Sequence, residues 1–345
     1  MNPPRHPNAI SSYSDWLVRN TIREPSVQIA LGAWIIANVL VWILARGVLP
    51  FDRPALLHKS FALQMALPSL GMIEIFMLMG VIYFLTRRRL SPDLAARAPE
   101  PRIAARETAR LLIYAALGEA GGWMLGPALG YRPFSFHIAG TLYGSSAPPS
   151  PGEIGTWATY NFLVFAVAPF LWFGRRYSAE QLNLRSSDRR NDLTVIIVVA
   201  AIESLVELGA FPGFLRLSGR QMLIGAPTAF LAFFVGTVMP TMVLIYAILI
   251  PRYLRLNGSR VTTILFGGLT YAAMHIVEGW SLFATPRETV LSLIFVLLTY
   301  FGPGMIKTFI TLRTGNAWVH ALGYHAIAPH VVVDTPLIVK AFAIR

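Results

Sequence analysis

The chain has 345 residues, of which 55% are hydrophobic and 13% charged, and it carries a formal charge of +12 with no cysteine. An ordinary soluble domain devotes roughly a quarter of its positions to charge, so this composition excludes a water-soluble globule. The missing thiols exclude a disulfide framework and a cysteine nucleophile, and the positive charge falls in separate connections between apolar blocks, which excludes nucleic acid as its partner.

Residues 1–26 carry Arg5, Arg19 and Arg23 among polar groups and read as a cytoplasmic tail, because no small-residue cleavage site follows a short apolar core. Apolar blocks then cover 27–44, 61–85, 111–130, 157–173, 193–211, 223–250, 262–283, 290–310 and 317–341. Their lengths cluster near the ~20 residues that a hydrocarbon layer requires. The expectation is an all-α polytopic membrane protein with about nine transmembrane helices. The first two blocks make a leading pair over 27–85, a basic connection occupies 86–110, and 111–345 forms the transmembrane core. Within 86–110, Ser91-Pro92-Asp93 and the prolines near Glu100 predict a turn, and the residues after Pro101 a short interfacial helix.

Arginines crowd alternate connections: Arg87 to Arg89 with Arg97, then Arg175, Arg176, Arg185, Arg189 and Arg190, then Arg252, Arg255 and Arg260, and finally Lys307 with Arg313. The intervening connections hold fewer, such as Arg132, Arg216 with Arg220, and Arg287. This alternation predicts an N-terminus inside and a C-terminus outside, in a bacterial inner membrane.

Ionisable side chains inside these blocks are the informative residues, since each costs roughly 2.5 to 3.5 kcal/mol at the centre of a bilayer unless it has company. They are Glu74, Glu119, Glu203, Glu207, His275, Glu278, His325 and His330. With the third, fifth, seventh and ninth helices entering from the cytoplasm, Glu119, Glu203, His275 and His325 fall about 12 to 20 Å below that surface at ~1.5 Å per residue. Glu203 with Glu207, and His275 with Glu278, each project from one helix face. Such groups can activate a water and protonate a leaving group. The bland alternative is that they hold the bundle together, and Glu74 and Glu278 taken singly read as structural or interfacial.

The ninth block contains Tyr324-His325-Ala326-Ile327-Ala328-Pro329-His330. Pro329 removes the helical partner of the His325 carbonyl, which predicts a bend and a polar site there. Pro240 and Gly302-Pro303-Gly304 predict similar breaks. His320 reads as interfacial, and Trp123, Trp280 and Trp318 as belt or packing residues. His275, His325 and a carboxylate have the chemistry of a three-ligand zinc site. With no His-Glu-x-x-His sequence, and with His325 and His330 five residues apart, no cofactor is expected and metal ligands stay unassigned.

From about residue 220 to 335 the sequence resembles the CAAX prenyl protease and bacteriocin-processing (CPBP) family of intramembrane proteases. The resemblance rests on Leu249 to Arg255, on Ile264 to His275, and on Arg313-Thr314-Gly315-Asn316-Ala317-Trp318 leading to His325. The family shows Glu-Glu-x-x-x-Arg, then Phe-x-x-x-His, then His-x-x-x-Asn or Asp. Tyr271-x-x-x-His275 is similar to the second, and His325 to the start of the third. The first motif is absent: Thr241, Met242 and Tyr246 stand where its charged residues belong. What the resemblance implies is an intramembrane hydrolase of peptide or other acyl bonds, with Glu203, Glu207, His275 and His325 as catalytic candidates. The alternative is an inactive relative that binds a membrane-embedded peptide, protein or lipid. Buried Glu and His also suit ion-coupled transport, but no duplicated half accompanies them. Glycine pairs such as Gly267 with Gly268 fit contacts within a chain or between chains, so oligomeric state stays open.

Overall fold

The computed structural model describes residues 21–51, 59–138, 148–276, 278 and 280–345. Most of the expected tail, 1–20, and the first part of the expected loop, 144–147, lie outside the described residues. Within them the secondary structure is helical and contains no strand. The apolar blocks fall on α1 (Pro25–Ala45), α2 (Phe61–Thr86), α3 (Pro101–Ala128), α4 (Pro151–Gly174), α5 (Arg189–Ala210), α6 (Gly219–Asn257), α7 (Arg260–Ala273), α8 (Pro286–Thr314) and the segmented α9 (317–341). Six of these, α1, α2, α4, α5, α6 and α8, are long and apolar enough to cross a bilayer. The chain is an all-α, multi-pass membrane protein.

Three expectations change in detail. The interfacial helix after Pro101 is not separate. It forms the first turns of α3, because Pro101 sits at its start and no further proline interrupts it until Pro127. α8 runs unbroken through Pro303, where packing against α7 fixes its conformation. α7 stops at Ala273, which leaves His275 in the turn beyond its end.

α6 occupies the centre, and every residue from 240 to 254 is buried. A helix apolar on all sides belongs inside a bundle. Pro240 coincides with a departure from α geometry, since Phe234–Val238 and Met242–Leu249 are π-helical. α7 and α8 approach at glycines within this chain. A Cβ on Gly304 would lie 2.8 Å from Gly268 Cα and 2.6 Å from Tyr271 Cβ, so only glycine allows this separation.

The arginines gather at one end of the bundle and fasten it. Arg89 pairs with Asp192 and donates to the Thr314 carbonyl at 2.7 Å. Arg97 donates to Asn183 and to the Gly315 carbonyl, each at 2.7 Å. Arg313 donates to the Thr86 carbonyl at 2.8 Å. Arg252 reaches Glu107 at 2.6 Å beneath the rings of Phe173 and Tyr177. Residues read as a topology signal therefore also tie α2, α3, α5, α6 and α8 together. Lys307, grouped with Arg313 in the sequence, does not belong to this set: it lies within α8, 1% exposed, with Nζ 3.6 Å from the Tyr271 ring centre.

Candidate functional site

A cavity of about 180 Å³ opens among α2, α5, α8 and α9. One wall is apolar, with Leu67, Met72 and Ile75 of α2 and Leu298 of α8. The other carries Glu203, Glu207, Lys307, His137, His325 and His330, and Glu74 and Asp334 complete it. A typical ligand pocket measures ~300–1,000 Å³, so this space accepts one extended segment or acyl chain and excludes a bulky molecule.

Four buried imidazoles meet at the polar wall. His275 donates from Nδ1 to the Tyr271 carbonyl at 2.6 Å, one turn earlier, and stacks on Tyr300 with ring centres 4.1 Å apart. Its Nε2 lies 3.4 Å from His137 Nε2, with the two rings nearly perpendicular. His137 arrives from the stretch after α3, where Phe134, Phe136 and Ile138 are buried and Trp157 donates to the Ser135 carbonyl. The other nitrogen of His137, Nδ1, sits 3.2 Å from Glu278 Oε1. His330 stacks on Phe233 and donates from Nδ1 to Asp334 at 2.8 Å. Its Nε2 is buried without a hydrogen-bond partner. His325 meets hydroxyls at both nitrogens, Thr241 at Nδ1 and Tyr271 at Nε2, each at 3.3 Å.

Of the four catalytic candidates, His275 and His325 join this cluster through Tyr271, and Glu203 and Glu207 border the same cavity. Among the described residues neither carboxylate hydrogen-bonds an imidazole. Glu203 meets Glu74 instead, so Glu74, read singly as structural, belongs to the cavity. Glu119 does not line it and faces Ser135 and the Phe136 backbone. Glu278, read as interfacial, is buried against His137. His320, also read as interfacial, is buried against Tyr246 with ring centres 4.0 Å apart.

Two trios bring ligand-capable atoms within 4.8 Å of one another, His137 with His325 and His330, and His137 with His275 and Glu278. The sequence argument against His325 and His330 acting together assumed α geometry, in which five residues turn by about 500° and leave the side chains some 140° apart. Here Ala321–Ala326 and Ala328–Val333 are π-helical. Wider turns bond i to i+5, and the two rings end 5.1 Å apart. His137, His330, Asp334 and Lys307 are the residues the sequence reading missed as members of one site. His330 and Asp334 carry a legible signal in their four-residue interval, whereas His137 carries none beyond the aromatic residues around it. Compared with known protein families, curated proteins and solved structures, the chain matches none.

Proposed function

We propose that this protein is a membrane-embedded hydrolase that cleaves a peptide or other acyl bond of a membrane-borne substrate, in the inner membrane of a bacterium. The observation that carries the reading is the convergence of four buried imidazoles and two buried carboxylates on one small cavity with an apolar wall. Polar groups at membrane depth are costly and mark functional pathways, and this set is more elaborate than helix adhesion requires. The apolar wall suits the substrate segment. Water is activated at the imidazole cluster: its oxygen bonds to the acyl carbon, one proton passes to His325, and the leaving group departs with a proton relayed from His325 or from Glu203 and Glu207. Lys307 and the Tyr271 hydroxyl can face the oxyanion.

The CPBP reading gains support from a second interval. His330-x-x-x-Asp334 fits the family's His-x-x-x-Asn or Asp, so the third motif begins at His330 and not at His325, and Tyr271-x-x-x-His275 and His330-x-x-x-Asp334 bring both histidines to one cluster. The Glu-Glu-x-x-x-Arg motif is still missing, and His137 stands among the imidazoles with no counterpart in the three motifs. The alternative is a silent relative whose cavity holds a lipid chain or membrane peptide without breaking it.

The deciding experiment compares new protein termini in membranes from cells producing wild type and His325→Ala, with thermal melting used to confirm that both fold. Termini that depend on His325 support hydrolysis. Identical terminal profiles from the two folded proteins refute it and leave the binding alternative.

A further inference from the structure

An imidazole that gives its one proton to an oxygen on one side presents a bare lone pair on the other. Three rings of the cluster are fixed in this way. His275 Nδ1 lies 2.6 Å from a carbonyl, which only accepts, so the proton is on Nδ1 and Nε2 is bare. His330 Nδ1 faces the Asp334 carboxylate at 2.8 Å, and its buried Nε2 has no partner. His137 Nδ1 faces the Glu278 carboxylate at 3.2 Å, so its Nε2 is likewise the unprotonated atom.

Two of these bare atoms, Nε2 of His137 and of His275, point at one another across 3.4 Å. Facing lone pairs repel, so a positive centre belongs between them. A proton would draw the nitrogens closer than this, to about the 2.7–3.2 Å of ordinary hydrogen bonds. A tetrahedral ion with Zn–N bonds of about 2.0–2.1 Å spaces its nitrogen ligands by about 3.3–3.4 Å. The observed separation is that of two ligands on one ion.

Charge points the same way. Glu278 and Asp334 are 4% and 2% exposed, and Glu278 Oε1 has no hydrogen-bond partner. Two anions placed behind neutral imidazoles are uncompensated, and one divalent cation on the far side of those imidazoles balances both. A carboxylate on the outer nitrogen of a ligating histidine also fixes its tautomer and raises its basicity. Here His137 and His330 each have that partner. His330 and His137 belong to a group whose ligand-capable atoms lie within 4.8 Å, which puts a third nitrogen within reach. His325 differs, since hydroxyls meet both of its nitrogens.

We propose that a divalent transition-metal ion of the zinc type binds to Nε2 of His137, His275 and His330, with Asp334 and Glu278 as positioning residues. Three nitrogen ligands leave a fourth position, and His137 and His330 both border the cavity. Bound there, the metal would turn water into hydroxide near neutral pH, with His325 left free to carry its proton. The inference deepens the hydrolase reading at the same cluster but does not depend on it.

The test uses the full chain in detergent, loaded with zinc or cobalt(II) alone and freed of excess metal. The expected results are one metal per chain by elemental analysis and, with cobalt, the intense visible absorption of a four-coordinate ion. His137→Ala and His330→Ala should lose it. Asp334→Asn, which keeps its shape and fold, should weaken affinity ~10–100-fold, and His325→Ala should keep the metal. Wild type that retains less than about a tenth of an equivalent overturns the proposal, as does unchanged affinity in Asp334→Asn and His137→Ala together. One bound metal without any His325-dependent products would instead refute the hydrolase reading alone. Undiminished products from metal-stripped protein would refute the metal alone.

Discussion

Gly304→Ala should damage the site from a distance, by separating α7 from α8. The new methyl would lie 2.6 Å from Tyr271 Cβ, 2.8 Å from Gly268 Cα and 3.0 Å from the Gly268 carbonyl oxygen. Ordinary contact begins near 3.4 Å, so at least 0.8 Å (3.4 − 2.6) must open against Tyr271, and the neighbours are at or next to backbone that cannot swing aside. Overpacking of this kind costs about 1–3 kcal/mol. Tyr271 is the hub of the cluster, holding His275 by its carbonyl and His325 by its hydroxyl. A displacement approaching 1 Å at a positioning residue can cost ~10²-fold in rate. The assays are thermal melting in detergent and the yield of His325-dependent termini. Gly80→Ala on α2 is the control, since nothing lies within 4 Å of its added methyl. It should be neutral or slightly stabilising, by up to about 1 kcal/mol. If Gly304→Ala melts and turns over like Gly80→Ala, the close α7–α8 approach is not what positions the site.

Glu107→Ala strands the Arg252 guanidinium, which is 1% exposed, and should destabilise by about 3–5 kcal/mol; adding Arg252→Met should recover much of that loss in a double-mutant cycle of melting temperatures. Glu203→Gln should lower product yield by ~10²-fold with the fold intact if it relays protons, and wild-type yield in that variant would remove Glu203 from the mechanism. Because the chain has no cysteine, single thiols report topology cleanly: Ser91→Cys should resist a membrane-impermeant maleimide added to intact spheroplasts and Ser218→Cys should react, and the reverse pattern would invert the orientation.

What was legible in the sequence follows from cost. Long apolar blocks and isolated acids and imidazoles are each expensive in water or in lipid, so composition alone points to a multi-pass protein and to Glu203, Glu207, His275 and His325 around one space. Lys307 was misread because it lies six residues from Arg313, and in a linear reading the two charges belong to one helix end. Only packing shows that Lys307 points inward over Tyr271. His137 was illegible for a different reason. It sits between apolar blocks, beside Arg132, and becomes part of the site only because Phe134, Phe136 and Ile138 carry that stretch into the interior. The glycine contacts resolve within the chain, since the α7 face that could have served a second copy is filled by Met305 and Thr308.

The segment 317–341 concentrates what a membrane protein ordinarily avoids: three histidines, an aspartate, a proline and two runs of π-helical backbone. Irregular backbone is tolerated at membrane depth only where protein or a wet cavity covers it. α5 provides that cover on one side, and Gly323 allows the approach, since a Cβ there would lie 3.2 Å from Ile196 Cα. Pro329 supplies no amide hydrogen, and the Ile327 carbonyl accepts from both Val331 and Val332 at 2.9 and 3.0 Å, the signature of a turn wound wider than α. That widening draws His325 and His330 together, and Asp334 one turn further on holds His330 in place. A straight α-helix would have satisfied the backbone more completely and turned one histidine away from the other. The departure from regular geometry and the gathering of imidazoles are thus one structural event, which ties the cost of this segment to its chemistry.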